Sequence, residues 1–454
     1  EMLRSLVGSE MCIRDSNRLD KPPCFLSSRL NSMDKQLLKS VMLDNQKEVQ
    51  RYEVFKRDFH FEDFGNYVLI GIRRAGKSFL IYQRIQQLLT EGVGWDSMLY
   101  INFEDERLDG LQISELNLII EAHLEMYGKR PILFLDEIQN IEGWEKFARR
   151  LADEKYKVYI TGSNAKMLSS DIQTTLGGRY ITINVYPYSF PEFLEVHHTA
   201  YDELSLLGTE SRAAVMNRFI DYFHNGGFPE GALLAAKRNY LTSVYQKIYL
   251  GDIAARNAIT NTFGLKIMIK KLAESIKQPI SFNRIANIVS TTGSKLSTTS
   301  AIKYVEYAES AWLLQRINNI AAKLAEKESN SKYYFTDNGI LNLFLIDGNT
   351  SLLENLVAIS LIRQFGKEDA VFFYNKGIEV DFYIPEKEWA IQVSYNIKDL
   401  ETRERETDAL IKLSKVLPCK RFLVITFDEE SVLQMDNHSR IEVIPVWKWL
   451  LMLR

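Results

Sequence analysis

The sequence predicts an α/β protein built on a parallel sheet, followed by a helical region and a second α/β region. Three observations support this class. Residues 67–89 ("YVLIGIRRAGKSFLIYQRIQQLL") show the pattern of a buried strand, a tight glycine loop and an amphipathic helix. Strand and helix patterns then alternate as far as residue 185, which is typical of a doubly wound sheet. From residue 351 a helix and a further set of strands follow.

The composition is that of a globular protein. Of the 454 residues, 46% are hydrophobic, 25% are charged and 11% are aromatic. Single hydrophobic cores stop growing well below this length, so about two to four domains are expected. The net charge of −3 provides no global basic field, so any contact with nucleic acid needs a local patch. No apolar run approaches the roughly 20 residues of a membrane helix, so we expect no contact with a membrane.

Residues 1–32 are excluded from the fold prediction. The chain opens with Glu, and this segment resembles translated adapter sequence, without the continuous apolar core of a secretory signal. We expect the native chain to begin at Met33. Cys12 and Cys24 then fall outside it, and Cys419 is left as its thiol. One thiol allows neither a disulfide framework nor a cysteine zinc site, so a reducing, cytoplasmic setting is expected.

The glycine loop after the first strand predicts a phosphate-binding site. Residues 71–78 fit G-x-x-x-x-G-K-[ST], in which glycines let backbone N–H groups surround phosphate oxygens at a helix N-terminus. We expect Lys77 to reach the β- and γ-phosphates of ATP and Ser78 to ligate Mg²⁺. The nucleotide-binding residues predicted here are Gly71, Ile72, Arg73, Arg74, Ala75, Gly76, Lys77, Ser78 and Phe79.

A second strand ends in an acidic pair. Within residues 130–153 the apolar run "PILFL" leads into Asp136 and Glu137, and a helix follows. Acidic residues commonly begin a helix after a strand, which is one interpretation. After a phosphate loop on a parallel sheet, the pair instead predicts a magnesium ligand at Asp136 and a base that polarises water at Glu137.

Three further strands complete the predicted sheet. Residues 157–164 ("KVYITGSN") end in Ser163 and Asn164, while residues 97–105 and 179–185 supply the other two strands. The carboxyl ends of parallel strands face the ligand crevice, so either polar side chain is a candidate for sensing the γ-phosphate or holding water. An ordinary polar turn is the alternative.

Several segments together resemble one protein family. "GIRRAGKS", "FLDEIQNIEGWEKFARRL", "ITGSNAKMLSS" and "LGGRYITINVYPYSFPEF" are similar to the bacterial AAA+ ATPases that carry a C-terminal domain of unknown function. "GGFPE" (226–230) and "YFTDNGILNLFL" (334–345) match the downstream signatures of that family. The resemblance implies ATP and Mg²⁺ as cofactors and ATP hydrolysis as the reaction, through the lysine, serine, aspartate and glutamate named above.

The resemblance also indicates two arginines. Arg179 precedes the last strand, where AAA+ proteins often keep a catalytic arginine finger, and a surface salt bridge is the alternative. A finger that acts in trans would require a homo-oligomer. Arg256, in "YLGDIAARN", is a second candidate, as an arginine of the lid.

After an ATPase core at 33–186, residues 187–262 show helical patterns and predict a lid. Residues 263–345 contain a short helix, a turn at Gly293, a longer helix and two extended segments, an order typical of a winged helix-turn-helix. Such a fold can place its recognition helix in the major groove of duplex DNA. Between 280 and 330, however, six Lys or Arg stand against four Glu, a balance of only +2. Winged helices also bind proteins, so DNA and protein partners both stay open.

Residues 346–454 resemble the restriction-endonuclease-like fold of PD-(D/E)xK nucleases. In the active form, a helix acid, a strand-end Asp and an acid-x-Lys pair bind Mg²⁺ and activate water. The matching positions here are Glu354, Asp381, Gln392 and Ser394. A neutral Gln is a weak Mg²⁺ ligand and Ser394 lacks a positive charge, so we predict a binding or scaffold role without cleavage. The alternative is that the two acids merely cap a helix and end a strand.

The sequence therefore predicts a cytoplasmic Mg²⁺-dependent ATP hydrolase whose nucleotide state controls a C-terminal module that binds DNA or protein. One alternative is a nucleotide-gated switch for protein interaction with little turnover. Another is an ATP-powered nuclease.

Overall fold

A computed structural model describes residues 33–163, 167, 170–323, 330–366, 370–434 and 440–453. The excluded leader at 1–32, with Cys12 and Cys24, lies outside the described residues, as does the predicted nucleotide contact Asn164. Two sheets organise the described part of the chain. None of the helices in that part combines the length and apolar character needed to cross a bilayer.

The first sheet is parallel throughout, so the parallel-sheet core predicted from strand–helix alternation is confirmed. Its strands are β1 (Asn66–Ile70), β2 (Met98–Asn102), β3 (Ile132–Asp136), β4 (Val158–Gly162) and β5 (Tyr180–Asn184). They lie in the order β2-β3-β4-β1-β5. The carboxyl ends of β1, β4 and β3 therefore lie side by side at one edge of the sheet.

Five helices accompany this sheet. They are α1 (Lys35–Arg51), α2 (Lys77–Thr90), α3 (Leu116–Tyr127), α4 (Trp144–Asp153) and α5 (Ser170–Leu176). Helix α4 shows why these segments are helical. Its buried residues Trp144, Phe147, Ala148 and Leu151 recur at the spacing of one helix face, so they form a single apolar stripe.

The predicted lid is helical and ends in an unusual element. Its helices are α6 (Phe190–Val196), α7 (Glu203–Leu207), α8 (Thr209–Asn225), α9 (Pro229–Leu233) and α10 (Lys237–Gln246). A π-helix, Lys247–Ala255, follows α10 directly. Wide π turns are rare, and they occur frequently at functional sites.

Seven α-helices and the second sheet make up the rest of the described chain. The helices α11 (Thr262–Glu274), α12 (Phe282–Thr291) and α13 (Thr298–Ser310) precede β6 (Leu314–Asn319) and β7 (Lys332–Phe335). The later helices are α14 (Asn338–Asn342), α15 (Asn349–Phe365), α16 (Leu400–Ser414) and α17 (Val446–Met452). The later strands are β8 (Phe372–Asn375), β9 (Glu379–Ile384), β10 (Trp389–Val393), β11 (Arg421–Thr426), β12 (Ser431–Gln434) and β13 (Arg440–Pro445).

The second sheet is mixed and continuous. Its eight strands lie in the order β12-β13-β11-β10-β9-β8-β6-β7. Strand β6 pairs with β7 in the antiparallel sense and with β8 in the parallel sense. The segments expected at 263–345 and 346–454 thus contribute strands to one sheet, and the expected boundary between them divides a hydrogen-bonded unit.

The two signature segments "GGFPE" and "YFTDNGILNLFL" pack against each other. The Asp337 carboxylate accepts hydrogen bonds from the backbone N–H groups of Gly227 and Gly339, each at 2.8 Å. Burial raises the pKa of Asp337 to about 6, and the hydrogen bonds from these backbone N–H groups partly offset that increase. Gly226 lies beside this carboxylate with φ at 72°, in the left-handed region. The contact joins the helical region to the second sheet.

Gly226→Ala is expected to destabilise the fold by about 3 kcal/mol, because strain at positive φ adds to a steric clash. A Cβ at this position would lie 1.9 Å from Oδ1 of Asp337. Gly92→Ala is the matched control, since Gly92 also has positive φ, at 91°, but a Cβ there would meet nothing within 4 Å. We expect Gly92→Ala to lower the free energy of unfolding by about 1 kcal/mol. If urea denaturation gave both variants the same loss of unfolding free energy, the clash with Asp337 would contribute nothing.

Candidate functional site

The phosphate loop connects β1 to α2 and is shaped by its glycines. A Cβ on Gly71 would lie 2.0 Å from the carbonyl oxygen of Val185, so no side chain fits there. Gly76 has φ at 94° and is the N-cap of α2, with no side chain capping the helix. The first N–H groups of α2 are therefore free to bind anions, as the sequence pattern predicts.

Lys77 already lies within this loop. Its side chain is 4% exposed, and Nζ donates to the carbonyl oxygens of Gly71 and Ile72, both at 3.2 Å. Nζ also lies 3.5 Å from Oε1 of Glu137. The predicted phosphate ligand and the predicted base are thus brought together at the carboxyl ends of β1 and β3.

Ser78 and Asp136, the two predicted magnesium ligands, are also in contact. The Ser78 hydroxyl hydrogen-bonds to the Asp136 carboxylate, which further accepts from the hydroxyl groups of Tyr100, at 2.9 Å, and Thr161. Burial, together with the charge of Glu137, raises the pKa of Asp136 to about 6. Such oxygen donors suit Mg²⁺, which retains several waters and takes few protein ligands.

This donor set is small. Across the described ranges, no three or more His, Cys, Asp and Glu side chains are grouped so that they could hold a metal ion. One hydroxyl and one carboxylate fit the magnesium of a phosphate-loop site, because nucleotide oxygens complete its coordination.

Glu137 is held in a restrained conformation. Its φ and ψ are 53° and 39°, left-handed values that are costly for a residue with a side chain. Its backbone N–H donates to Oγ1 of Thr161 at 2.9 Å, and Gln139 donates to its carboxylate. Burial alone would raise the pKa of Glu137. The charges of Lys77 and Arg73 and the hydrogen bonds outweigh burial and lower it. Glu137 is therefore ionised near neutral pH, as a base must be.

Ser163 joins this group from the end of β4. Its hydroxyl hydrogen-bonds to Glu137, and its Oγ lies 3.4 Å from Nε2 of Gln139. The parallel sheet places β4 beside β3, which explains the proximity. Either a contact with phosphate or the positioning of water stays a prediction for Ser163.

The loop opens into a cavity of about 890 Å³. One part of its wall is polar and contains Arg73, Lys77, Ser78, Asp136 and Glu137. Another part is apolar and contains Val54, Phe55, Phe79, Tyr188, Val196, Pro229 and Leu233. The ring of Phe79 packs edge-on against Tyr52, with 5.2 Å between ring centroids. A cavity with one charged and one apolar wall suits a nucleotide, which has a charged and an aromatic end.

Both arginines of the loop bind carboxylates of the helical region. Arg73 donates to Asp252 in the π-helix, and Arg74 donates to Glu230 at 2.8 Å. The sequence pattern placed the two arginines in the nucleotide site without indicating these partners.

A buried arginine outside the loop also supports it. Arg57 is 7% exposed and donates to both carboxylate oxygens of Glu192, at 2.6 and 3.1 Å. Its Nη1 donates to the carbonyl oxygen of Ala75 at 3.3 Å. No local sequence pattern indicates this contact, because its members come from three separate segments.

The two arginines suggested by family resemblance lie in different places. Nε of Arg179 donates to Asp153 at 2.5 Å, next to Tyr180, which pairs with Asn66 at the start of β1. The phosphate loop begins at the other end of β1, about 13 Å away at 3.3 Å per residue. Arg179 therefore lies at the opposite edge of the sheet from the loop of its own chain, and a role in trans stays a prediction. Arg256 lies nearer the loop, with Nη2 3.4 Å from Asp252.

The acids predicted in the C-terminal part form a cluster around a lysine. Nζ of Lys332 lies 3.4 Å from Glu354, 3.1 Å from Glu379 and 3.6 Å from Asp381. Lys332 is fully buried in β7, so the positive charge that Ser394 does not provide comes from another strand. Tyr334 also donates to Glu354, at 2.8 Å. Burial raises the pKa of Glu354 to about 7, although the Lys332 charge opposes this.

Gln392 belongs to the cluster and Ser394 does not. Oε1 of Gln392 accepts from the backbone N–H of Asp381, and its Nε2 donates to Glu406 in α16, both at 2.8 Å. The Ser394 hydroxyl donates to the carbonyl oxygen of Asn396 at 2.9 Å. A further acid, Glu406, thus approaches the cluster from α16, a helix whose charged run indicated a solvated face and no site residue.

Comparisons with known proteins assign two segments of the chain to described families. Residues 63–194 match the family described as AAA domain, and residues 216–351 match a domain of unknown function, DUF8612. The chain is 33% identical to the uncharacterized protein MJ1544 of Methanocaldococcus jannaschii, over 96% of this chain and 99% of that protein. It is 30% identical to an uncharacterized protein of Haemophilus influenzae, over 85% of this chain and 94% of that protein.

A solved structure with similarity is the Walker-type ATPase PABY2304 of Pyrococcus abyssi. It has 12% identity and a TM-score of 0.37, and the match covers 70% of this chain and 97% of that one. The phosphate loop and the acidic pair both lie within residues 63–194, the segment that matches the AAA domain.

Proposed function

We propose that this chain, which belongs to the family of the uncharacterized protein MJ1544 and contains an AAA domain, is a Mg²⁺-dependent ATP hydrolase whose nucleotide state controls its C-terminal part. One observation carries the proposal. The Lys77 ammonium lies 3.5 Å from the Glu137 carboxylate, in the loop whose Ser78 contacts Asp136. A phosphate ligand, a base and two hard oxygen donors therefore face one cavity.

Each of these residues has a separate task in hydrolysis. Lys77 and the first N–H groups of α2 bind and orient the phosphates. Ser78 and Asp136 would hold Mg²⁺, which supplies positive charge to the β- and γ-phosphate oxygens when it is bound. Glu137 accepts a hydrogen bond from water and so orients the water oxygen toward the γ-phosphorus. Gln139 donates to the Glu137 carboxylate and fixes its position. The apolar wall, which includes Phe55 and Tyr188, would pack against the adenine ring of ATP.

The C-terminal part is attached closely enough to respond to the nucleotide. In α15, Nη2 of Arg363 donates to the carbonyl oxygen of Pro187 at 2.6 Å, and its guanidinium lies 5.5 Å from the Tyr186 ring centroid. Residues 186 and 187 lie two and three residues after the last strand of the ATPase sheet, which ends at Asn184. A shift of the lid therefore has a direct route to the second sheet.

Steady-state ATP hydrolysis by residues 33–454, with and without duplex DNA, tests this function. We expect turnover that disappears in Lys77→Ala. If DNA stimulates turnover, and if DNA binding measured on filters weakens steeply as salt rises, we would conclude that α11–α13 and the β6–β7 pair form a winged helix that binds DNA. Turnover that depends on Lys77 but does not change when DNA is added would indicate that this module binds a protein partner. ATP binding with no turnover would support the nucleotide-gated switch instead.

A second candidate function is metal-dependent cleavage of phosphodiesters at the C-terminal cluster, where the substrate phosphate would have to complete the coordination because the described residues offer no set of three acidic, cysteine or histidine ligands. Lys332 and Glu406 favour it, because they place a positive charge and a further acid close to Asp381 and Gln392. These are the two kinds of group that the acid-x-Lys positions, Gln392 in β10 and Ser394 just after it, lack. A charge that stabilises the attacked phosphate can come from any neighbouring strand.

Plasmid nicking in Mg²⁺ and in Mn²⁺ tests the second candidate. It predicts nicking that is lost in Asp381→Asn and in Lys332→Met, while ATP turnover in the same preparations shows that the variants are folded. Asp408→Asn is the control, because Asp408 is exposed and pairs with Lys412 on the same helix as Glu406. Plasmid left intact by the wild-type protein would leave the cluster a binding or scaffold role.

A further inference from the structure

The third residue of the phosphate loop is bound to the π-helix. Nε and Nη2 of Arg73 donate to the two carboxylate oxygens of Asp252, at 3.0 and 3.2 Å. The third nitrogen, Nη1, donates to Glu104 at 2.9 Å. Asp252 is 4% exposed and Glu104 is 43% exposed. The stronger and more deeply buried partner of this loop arginine therefore lies 179 residues away in sequence.

The Asp252 carboxylate contacts two arginines. Besides Arg73, it faces Arg256, whose Nη2 lies 3.4 Å from Oδ1. The π-helix explains this geometry, since its wide turn bonds the N–H of Arg256 to the carbonyl oxygen of Gly251, five residues earlier. If Arg73 leaves, Asp252 keeps a cation. Departure of Arg73 thus leaves no buried charge uncompensated, and uncompensated charge is the usual obstacle to breaking a buried pair.

Arg73 can also reach the nucleotide. It lines the same cavity as Lys77 and Glu137. A guanidinium stays charged and binds carboxylate and phosphate with the same forked geometry. A bound triphosphate therefore competes with Asp252 for one donor group.

We propose that Asp252 is a positioning residue that holds Arg73 beside the phosphate loop and yields it to the γ-phosphate of ATP. The inference rests on the proposed ATPase function and adds its regulation. ATP, which has the γ-phosphate, draws Arg73 from the π-helix, and ADP does not. The π-helix lies within residues 216–351, outside the matched AAA domain, so exchange of this one ion pair reports the nucleotide state to the rest of the chain.

Equilibrium binding of ATP and ADP to residues 33–454 tests the proposal. Asp252→Asn keeps the shape of the side chain and removes the competing charge. We expect it to tighten ATP binding by about tenfold and to change ADP binding by less than about twofold. Asp252→Glu restores the charge and should return the ATP-to-ADP ratio toward the wild-type value. In the Arg73→Gln background, Asp252→Asn should have no further effect on that ratio.

Equal weakening of ATP and ADP binding in Asp252→Asn would overturn the proposal, because a purely structural residue gives that result. So would an unchanged effect of Asp252→Asn in the Arg73→Gln background. Glu154→Gln is the control, since it removes an exposed partner of Arg150 on α4. Wild-type protein that binds no ATP would refute the proposed function itself. Lys77-dependent ATP binding with an unaltered ATP-to-ADP ratio would refute this inference alone.

Hydrogen exchange gives an independent readout if Asp252→Asn does not fold. Arg73→Gln leaves Asp252 paired with Arg256 and changes a residue at the cavity wall. In the wild-type protein, ATP should raise exchange across residues 247–255 relative to ADP. The difference should vanish in Arg73→Gln. Identical exchange with ATP and ADP in the wild-type protein would overturn the proposal.

Discussion

Lys77→Ala is expected to weaken ATP binding by about a hundredfold or more and to bring turnover to background. The size of the effect follows from two contacts. Nζ already lies at the loop carbonyls of Gly71 and Ile72, so its desolvation and ordering are complete before ATP arrives. Nζ also offsets the buried charge of Glu137. Without Lys77, one of the charges that lower the pKa of Glu137 is lost, so that pKa moves upward and the carboxylate is held less strongly in its ionised form.

Titration with a fluorescent ATP analogue and measurement of phosphate release separate these two effects. Loss of binding alone can be overcome by saturating ATP, whereas loss of the ionised base cannot. Lys412→Ala is the matched control, because Lys412 is a half-exposed lysine on α16 that pairs only with Asp408 in the described part of the chain. Wild-type turnover in Lys77→Ala would contradict the assignment of the loop.

The nucleotide site could be predicted from sequence because its chemistry is local. Residues 71–78 are contiguous, and their spacing reflects the geometry of one loop and one helix N-terminus. The proximity of Asp136, Glu137 and Ser163 follows from a general property of parallel sheets, whose strands end at a common edge. The sequence thus indicated both the residue types and their meeting point.

The remaining contacts depend on tertiary packing that no spacing encodes. Lys332 reaches Glu354 and Asp381 only because β6 joins the C-terminal sheet beside β8, which brings β7 next to the cluster. The ion pair between Arg73 and Asp252 requires the π turn. Neither a single lysine in an apolar strand nor one aspartate in a helix differs, in sequence, from an ordinary structural residue.

Glu137→Gln is expected to keep ATP bound and to lower the rate of hydrolysis by about a thousandfold. The substitution preserves the size of the side chain and removes its charge. The low pKa of Glu137 means that the wild-type carboxylate is ionised near neutral pH, so its loss is not masked by protonation. The left-handed backbone at this position is unchanged in kind, since Gln is strained there to the same degree as Glu.

Single-turnover hydrolysis and retention of γ-labelled ATP after gel filtration distinguish this base from a structural acid. A base removed in isolation leaves ATP affinity equal to or tighter than wild type, because Lys77 and Arg73 lose an anion that competes with phosphate for them. A structural acid would lower affinity and rate together. Glu142→Gln provides the comparison, since Glu142 is exposed and lies five residues further along the same segment. Hydrolysis at the wild-type rate in Glu137→Gln would show that Glu137 is not the base.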